Sequence, residues 1–579
     1  MYSISTEPCN NLSALRFRLP LQNGKDQSEI CCDICSQVLV FFLSGLSQEW
    51  DNSDSSLPRA SQMRWMGRQR APLSGSTTPK VTTAAEILFI TNVHLAYPDP
   101  PFNAGKLWSV ECREGNVVRV APYIEGEYLP ISFARYEIDA RGGILLPSLC
   151  HSHIHLDKCF ILDRCDLISG DFKEAMSVTG TAKARFPLEK EDLLSRGRKL
   201  IHESVDCGVT SMRAHVEIDD LVGFSGLDVA LHLKEEARLA CHIQIAVFAQ
   251  EALFSSAEDA EPGSNFQLLA EAVQREGVEA VGSAPYVEPT IEQAKKNIEL
   301  IFELASHTSL TLIDFHLDYN LDPDSEPLIY EVIKQARKYC PAWKSHGPEL
   351  FGRHITIGHA TRLQLFTSKE WRHLQDAIGD LPITFVGLPN SDMYMQGRLQ
   401  AGQPLGAPRS TLRVPHLFDK YDIQIAMSVN NVENAFTPQG SADPLALCTF
   451  GAAIFQAATK TDIQTLAKSV TITSKVAIGQ TNVPLELYPQ RGDIADFVIL
   501  HGIQTLRQAV LNPPYDRTTI RNAIVVAHRR TRRWTAIKES PVSKIVNPIS
   551  WWWYLLFPVS WPFLLLDNWV SGPRKFLIS

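Results

Sequence analysis

The sequence predicts an α/β fold: a (β/α)8 barrel with further strands on both flanks. Short apolar runs rich in β-formers alternate with helical patterns along most of the chain. The runs are apolar throughout, which marks strands buried on both faces of a parallel sheet. Eight such units occur, the number that closes a barrel of ordinary size. An open doubly wound sheet is the alternative, but no G-x-G-x-x-G follows the first strand.

Taken in order, Ile87-Leu88-Phe89-Ile90 and Val117-Val118-Arg119-Val120 are short strand patterns ahead of the barrel. Ile138-Asp139-Ala140-Arg141-Gly142-Gly143 then leads into the first barrel strand. The eight strands are expected near 144–153, 209–218, 243–250, 280–284, 310–317, 354–359, 383–389 and 423–430. Helical segments such as 191–203, 228–240, 291–305 and 328–339 separate them. Downstream, 494–500 and 524–526 are again strand-like.

A chain of 579 residues is long enough for more than one structural unit. It is 45% hydrophobic and 21% charged, which excludes a disordered chain, a collagen-like fibre and a polytopic membrane protein. With 64 acidic residues against 55 basic ones, the net charge of -9 gives no electrostatic case for nucleic acid. The 12 Cys do not form a disulfide framework; most are scattered in apolar surroundings, as in a reduced, cytoplasmic protein. Cys32 and Cys35 have zinc-knuckle spacing, but no second Cys/His pair follows. No basic n-region precedes an apolar core near the start, so no secretory leader is expected. Residues 1–84, rich in Ser, Arg, Gln and Pro toward their end, are expected to be a disordered extension.

The far end is different. Six of the 11 Trp lie between Trp534 and Trp569, after Arg529-Arg530-Thr531-Arg532-Arg533. Residues 549–566 carry no charge, and Pro558 and Pro562 interrupt them. A Trp-rich apolar stretch beside a basic cluster suits a membrane interface, so membrane-surface contact through 545–570 is one expectation for the 528–579 tail. A membrane hairpin or span, a packing or homo-oligomer contact, and retained non-coding sequence are the others.

Chemistry concentrates at the strand ends, where barrel enzymes keep it. The first strand ends His151-Ser152-His153-Ile154-His155, and residues at i and i+2 share a face. The same parity includes His151, so the register is open at this point. The second strand ends near His215, the third at Gln250, the fifth at His316 and the sixth at His359. A single such His is more often a satisfied core residue. Several at matching ends, in a chain with 17 His, point to a metal site of Zn or Fe type with a position open to water.

The H-x-H after strand one, with strands before and after the barrel, resembles the amidohydrolase superfamily and, more narrowly, its cytosine deaminase-like branch. The residues that carry the likeness are His153-Ile154-His155-Leu156-Asp157, Met212-Arg213-Ala214-His215-Val216, Phe248-Ala249-Gln250-Glu251, Phe315-His316-Leu317-Asp318, Gly358-His359-Ala360-Thr361, Leu388-Pro389-Asn390 with Gln396-Gly397-Arg398, and Pro438-Gln439-Gly440-Ser441-Ala442-Asp443-Pro444. They span about 85–526. The resemblance implies a barrel over 144–484 and a small composite β-sandwich from 85–143 and 485–527. It implies His153, His155 and His316 as metal ligands, which selects His153 over His151. It also implies His359 at the attacking water and Gln250 on the substrate's ring edge; His215 is expected, with Gln250, to bind substrate.

Two positions depart from the family pattern. Its eighth strand supplies a metal-binding Asp that takes the water proton; here that position is Asn430, whose carbonyl can ligate but cannot act as a base. The family's proton-shuttling Glu after the fifth-strand His is Tyr319 here. Asp318, Asp157, Glu433 and Asp443 are the nearby carboxylates, and Asp318, two residues from His316, is the expected substitute. Lys158 is a candidate cation in the pocket. Two other enzyme classes are excluded. His215-Val216-Glu217 matches the H-x-E of the other zinc deaminases but has no accompanying Pro-Cys-x-x-Cys, and no G-x-S-x-G elbow is present.

The expectation is a hydrolase with one divalent metal, Zn or Fe, cleaving a non-peptide C–N bond in a small cyclic amidine or amide. The alternatives are a catalytically silent relative that binds a ligand, and a lactam or amide hydrolase.

Overall fold

The computed structural model describes residues 87–97, 105–126, 135–308, 310–344, 353–398 and 409–532. The expectations for 1–84 and for the tail beyond 532 lie outside these residues. Among the described residues, no helix is long and apolar enough to cross a membrane.

Five strands come first: β1 (Ile87–Leu95), β2 (Trp108–Arg113), β3 (Asn116–Pro122), β4 (Arg135–Asp139) and β5 (Ile144–Pro147). The barrel strands follow: β6 (Leu149–His155), β7 (Val209–Glu217), β8 (His242–Ala249), β9 (Val278–Ser283), β10 (Leu312–Leu317), β11 (His354–His359), β12 (Ile383–Gly387) and β13 (Ile425–Met427). Then come β14 (Phe497–Leu500), β15 (Arg517–Arg521) and β16 (Ile524–Arg529). The helices used below are α1 (Phe172–Lys183), α2 (Lys190–Asp206), α3 (Ser225–Glu236), α4 (Ser264–Ala272), α5 (Ile291–His307) and α6 (Ile329–Lys344).

Strands β6 to β13 pair in chain order, each parallel to the next. The sheet closes on itself beyond β13, where Ile154 bridges Asn430. His155 N–H donates to the Asn430 carbonyl at 2.9 Å, and Asn430 N–H donates to the His153 carbonyl at 3.1 Å. Closure therefore seats position 430 against the H-x-H strand. The strands are almost wholly buried, as their continuous apolar pattern requires.

The run expected as one first strand, 144–153, divides at Pro147. Its first half, β5, leaves the barrel and pairs antiparallel with β14. In β1 the register shifts between Ile90 and Val93, with Asn92 at φ 54°. Ahead of that bulge β1 pairs with β2 and β4; after it, Val93 still faces Trp108 of β2 and β1 pairs with β5. Strands from both ends of the barrel thus share one core, which includes Ile90, Val110, Leu145, Phe497 and Ile520.

Candidate functional site

The ends of β6 and β10 bring three imidazoles to one point. His153 Nε2 lies 2.9 Å from His316 Nε2, and His155 Nε2 lies 3.0 Å from it. Ligands at ~2.0–2.1 Å from a tetrahedral metal stand roughly 3.3 Å apart, so the cluster is close to a ligating arrangement. On the neighbouring β11, Gly358 stands opposite His316. A Cβ added at Gly358 would sit 2.8 Å from His153 Cε1, so only glycine leaves room for that ring. A register shift in β6 between His151 and Ile154 breaks strict alternation. It turns His151 away to Ser204 of α2, at 3.2 Å, and leaves His153 and His155 inside.

Asn430 completes the group. Its Nδ2 donates to Ser391 Oγ at 2.7 Å, which orients the amide. Its Oδ1 is buried without a hydrogen-bond partner. Burial, and after it the positive potential of neighbouring side chains, holds His153, His155 and His316 well below the usual imidazole range. Neutral imidazoles and an orphaned carbonyl oxygen are the donor set a divalent Zn- or Fe-type ion takes. The residues present fit such an ion.

Beneath the histidines lies a buried polar floor. Arg213 Nη1 donates to Asp314 Oδ2 at 2.7 Å and to Thr356 Oγ1 at 2.5 Å, and Arg213 Nε donates to Gln244 Oε1 at 2.6 Å. His215 belongs to this layer. Its Nε2 is 3.3 Å from Asp314 Oδ1, and its ring centroid is 4.1 Å from that of His153. His153, His215, Asp314 and His316 together form a buried cluster able to hold a metal. His215, expected as a substrate contact, stands in this floor and is not among the residues that line the pocket.

A small, partly open pocket lies beside this cluster. His155, His316, His359 and Asn430 form one end, and Lys158, Gln250 and Tyr286 form one side. Phe172 at the start of α1, Tyr319 and Phe436 supply aromatic walls. Phe172 meets Tyr286, Tyr319 and Phe436 at centroid distances of 6.1, 5.9 and 5.8 Å. The walls contain no carboxylate among the described residues.

Carboxylates stand one residue back instead. His359 Nδ1 is 2.7 Å from Asp392 Oδ1. Asp392 Oδ2 accepts from Thr411 Oγ1 at 2.6 Å and from Leu388 N–H at 3.2 Å. Glu217 bonds the Lys158 ammonium and accepts from Lys183 Nζ at 2.7 Å. Burial opposes the Glu217 charge, but the two lysines outweigh it and hold the carboxyl down to about 2. Lys183 also pairs with Asp219 and Glu251, both at 3.0 Å.

Asp318, expected as the substitute acid, does not reach the pocket. Its backbone takes φ 49°, which ends the strand alternation that would have kept it on the His316 face. Both carboxylate oxygens accept backbone N–H groups at the start of α6, Leu328 at 2.8 Å and Ile329 at 3.2 Å. Burial raises its carboxyl to about 7. Asp157 accepts the Glu217 N–H at 2.7 Å. Asp443 caps a helix and holds Arg517. Each of these has a structural task. Asp392, Glu217, Lys183 and the aromatic walls were not anticipated. Glu217 lies two residues from His215, a parity signal that could have marked it.

No family model matches the sequence. Over 447 residues the chain is 20% identical to the N-isopropylammelide isopropyl amidohydrolase of Pseudomonas sp. (strain ADP), covering 76% of this chain and 96% of that protein. Over 412 residues it is 24% identical to the pterin deaminase of Rhizobium rhizogenes, covering 70% and 86%. Among solved structures it is similar to the 5-methylcytosine deaminase from Klebsiella pneumoniae liganded with 5-fluorocytosine. There the TM-score is 0.64 and the identity 22%, over 77% of this chain and 99% of that one.

Proposed function

We propose that this chain, whose fold and relatives are those of the amidohydrolase superfamily and its cytosine deaminase-like branch, is a metal-dependent hydrolase. It acts on a non-peptide C–N bond of a small cyclic amidine or amide. The observation that carries this is the convergence of three neutral imidazole nitrogens beside the unpartnered Asn430 oxygen, at one end of an aromatic-walled pocket.

His153, His155, His316 and Asn430 would hold one divalent ion, Zn or Fe. When bound, such an ion lowers the pKa of a coordinated water toward ~7 and polarises the substrate. His359 handles the proton that the water gives up. Asp392 accepts the Nδ1–H, so Nε2 is left as the base. This pair takes over work that the family assigns to the carboxylate replaced by Asn430. Gln250 and the aromatic walls orient a flat ring.

The test is purification, metal analysis and an ammonia-release screen over pyrimidines, triazines and lactams. His316→Ala is expected to lose metal and turnover together; full occupancy and turnover in that variant overturn the ligand assignment. The absence of a carboxylate from the pocket walls favours a second reading, a ligand-binding protein with little turnover. Asn430→Asp separates the two. If the His359–Asp392 pair suffices, the rate changes little; a large gain shows that the natural site lacks a base. A ring-opened acid in place of ammonia would identify a lactam hydrolase.

A further inference from the structure

Between α2, the end of α3 and β16 lies a surface groove of about 340 Å³ that shares no residue with the pocket at the strand ends. Ile201, Val205 and Leu233, all buried, form its floor. Its sides are small. Ala237 and Ala240, just past α3, and Ala527 of β16 are only partly buried, and three methyl groups leave room for a large side chain between them. The rim is polar: Arg198 donates to both carboxylate oxygens of Glu236, at 2.6 and 2.7 Å, and Asp206 stands at the end of α2.

Strand β16 is the last in its sheet, so one of its edges has no strand beside it among the described residues. Its run Ile524-Val525-Val526-Ala527 is apolar and only half buried. An apolar edge strand beside an apolar groove is a surface that proteins cover with a helix or loop. The same chain carries a segment of matching character. It leaves β16 at Arg529, which donates to Cys207 Sγ at 3.1 Å, just past α2. The 16 residues of 533–548 reach up to ~50 Å when extended. That is more than twice the ~20 Å length of a six-residue strand such as β16, so the chain can turn back along it. The segment that follows, 549–566, is uncharged and holds Trp551, Trp552, Trp553 and Trp561. An indole combines a large apolar ring with an N–H that needs an acceptor. The groove offers a small-walled space for the ring and the carboxylates of Glu236 and Asp206 for the N–H.

We propose that the Trp-rich segment 549–566 docks within its own chain into the groove between α2, α3 and β16, seating an indole among the three alanines and covering the edge of β16. The contact ties the end of the chain to both cores, since the floor of the groove belongs to the barrel core and Val525 of β16 packs on the second one. A segment seated there is withdrawn from membrane surfaces and from other copies of the chain.

Amide hydrogen exchange on the full-length protein tests this. Peptides from 549–566 are expected to exchange at least ~10-fold more slowly than an unstructured chain of the same sequence. Ala237→Arg combined with Ala240→Arg fills the groove with two long charged side chains. This variant is expected to lose the protection of 549–566 while exchange in the barrel strands stays as in the parent protein. If it does not fold, the triple substitution Trp551→Ser, Trp552→Ser and Trp553→Ser, which changes no described residue, should instead raise exchange at the ends of α2 and α3. Exchange of 549–566 at the unstructured rate, or protection that neither variant alters, overturns the proposal. So does protection that rises with protein concentration, which assigns the groove to a second copy. Protection seen only with phosphatidylserine vesicles overturns it too, and assigns the segment to a membrane surface.

Discussion

His359 shows how a residue can keep a role when its usual partner is gone. It sits at φ 67° at the end of β11, and Asn430 facing it has φ 68°. Backbone held in this sparsely populated region costs of order 1–3 kcal/mol and clusters where geometry matters for function. The ring centroid lies 3.8 Å from that of Tyr319, the planes tilted by 33°, and Nδ1 is bonded to Asp392, so its tautomer is set from behind. Asp392→Asn keeps the shape but no longer demands that proton. It is therefore expected to lower kcat by roughly 10²–10⁴-fold while metal content stays unchanged. Stopped-time product assays with parallel metal analysis check this; a drop in metal content would instead make Asp392 a support of the ligands. The histidines themselves were legible, because they recur at the ends of successive strands. Asp392 was not, because a carboxylate that acts through a second side chain leaves no pattern in spacing. Asp318 misled for a related reason: one left-handed residue cancels the parity on which its expected role depended.

At the scale of elements, apolar runs and intervening helices were enough to place eight barrel strands, each within a few residues of its observed position. The division of the first run at Pro147 was hidden, since both halves are fully buried and equally apolar. What composition could not show is that the barrel interior carries charge. Arg213 of β7 and Asp314 of β10 meet as a pair with no exposure on either side chain, one layer below the histidines. Removing one member strands the other. Arg213→Met is expected to cost about 3–5 kcal/mol, the usual penalty for breaking a buried pair. Arg213→Met combined with Asp314→Leu should recover most of it, because apolar replacements of similar volume are often neutral. Equilibrium unfolding in denaturant measures both, and an equal loss in the double variant would mean that the layer is held by Thr356 and Gln244 rather than by charge.

The whole molecule is organised so that closing the barrel also assembles the site. The bridge between Ile154 and Asn430 joins the first and last strands and seats the Asn430 amide against the H-x-H residues. Strands β5 and β14 tie the same ends into the second core. A metal held by β6, β10 and the extension of β13 would therefore bind groups that come together only in the closed barrel. The unfolded chain offers those ligands far apart, so binding and folding are coupled. At a metal concentration ~100 times the dissociation constant, the native state gains about 2.7 kcal/mol. For a domain of this size each kcal/mol moves the midpoint by only ~2–4 °C or less. Chelation is therefore expected to lower Tm by roughly 5 °C, and Zn(II) or Fe(II) to restore it in a concentration-dependent way. His316→Ala should start from the chelated midpoint and not respond to added metal. A full response in that variant would place the ion elsewhere, with the cluster of His153, His215 and Asp314 as the remaining set of donors.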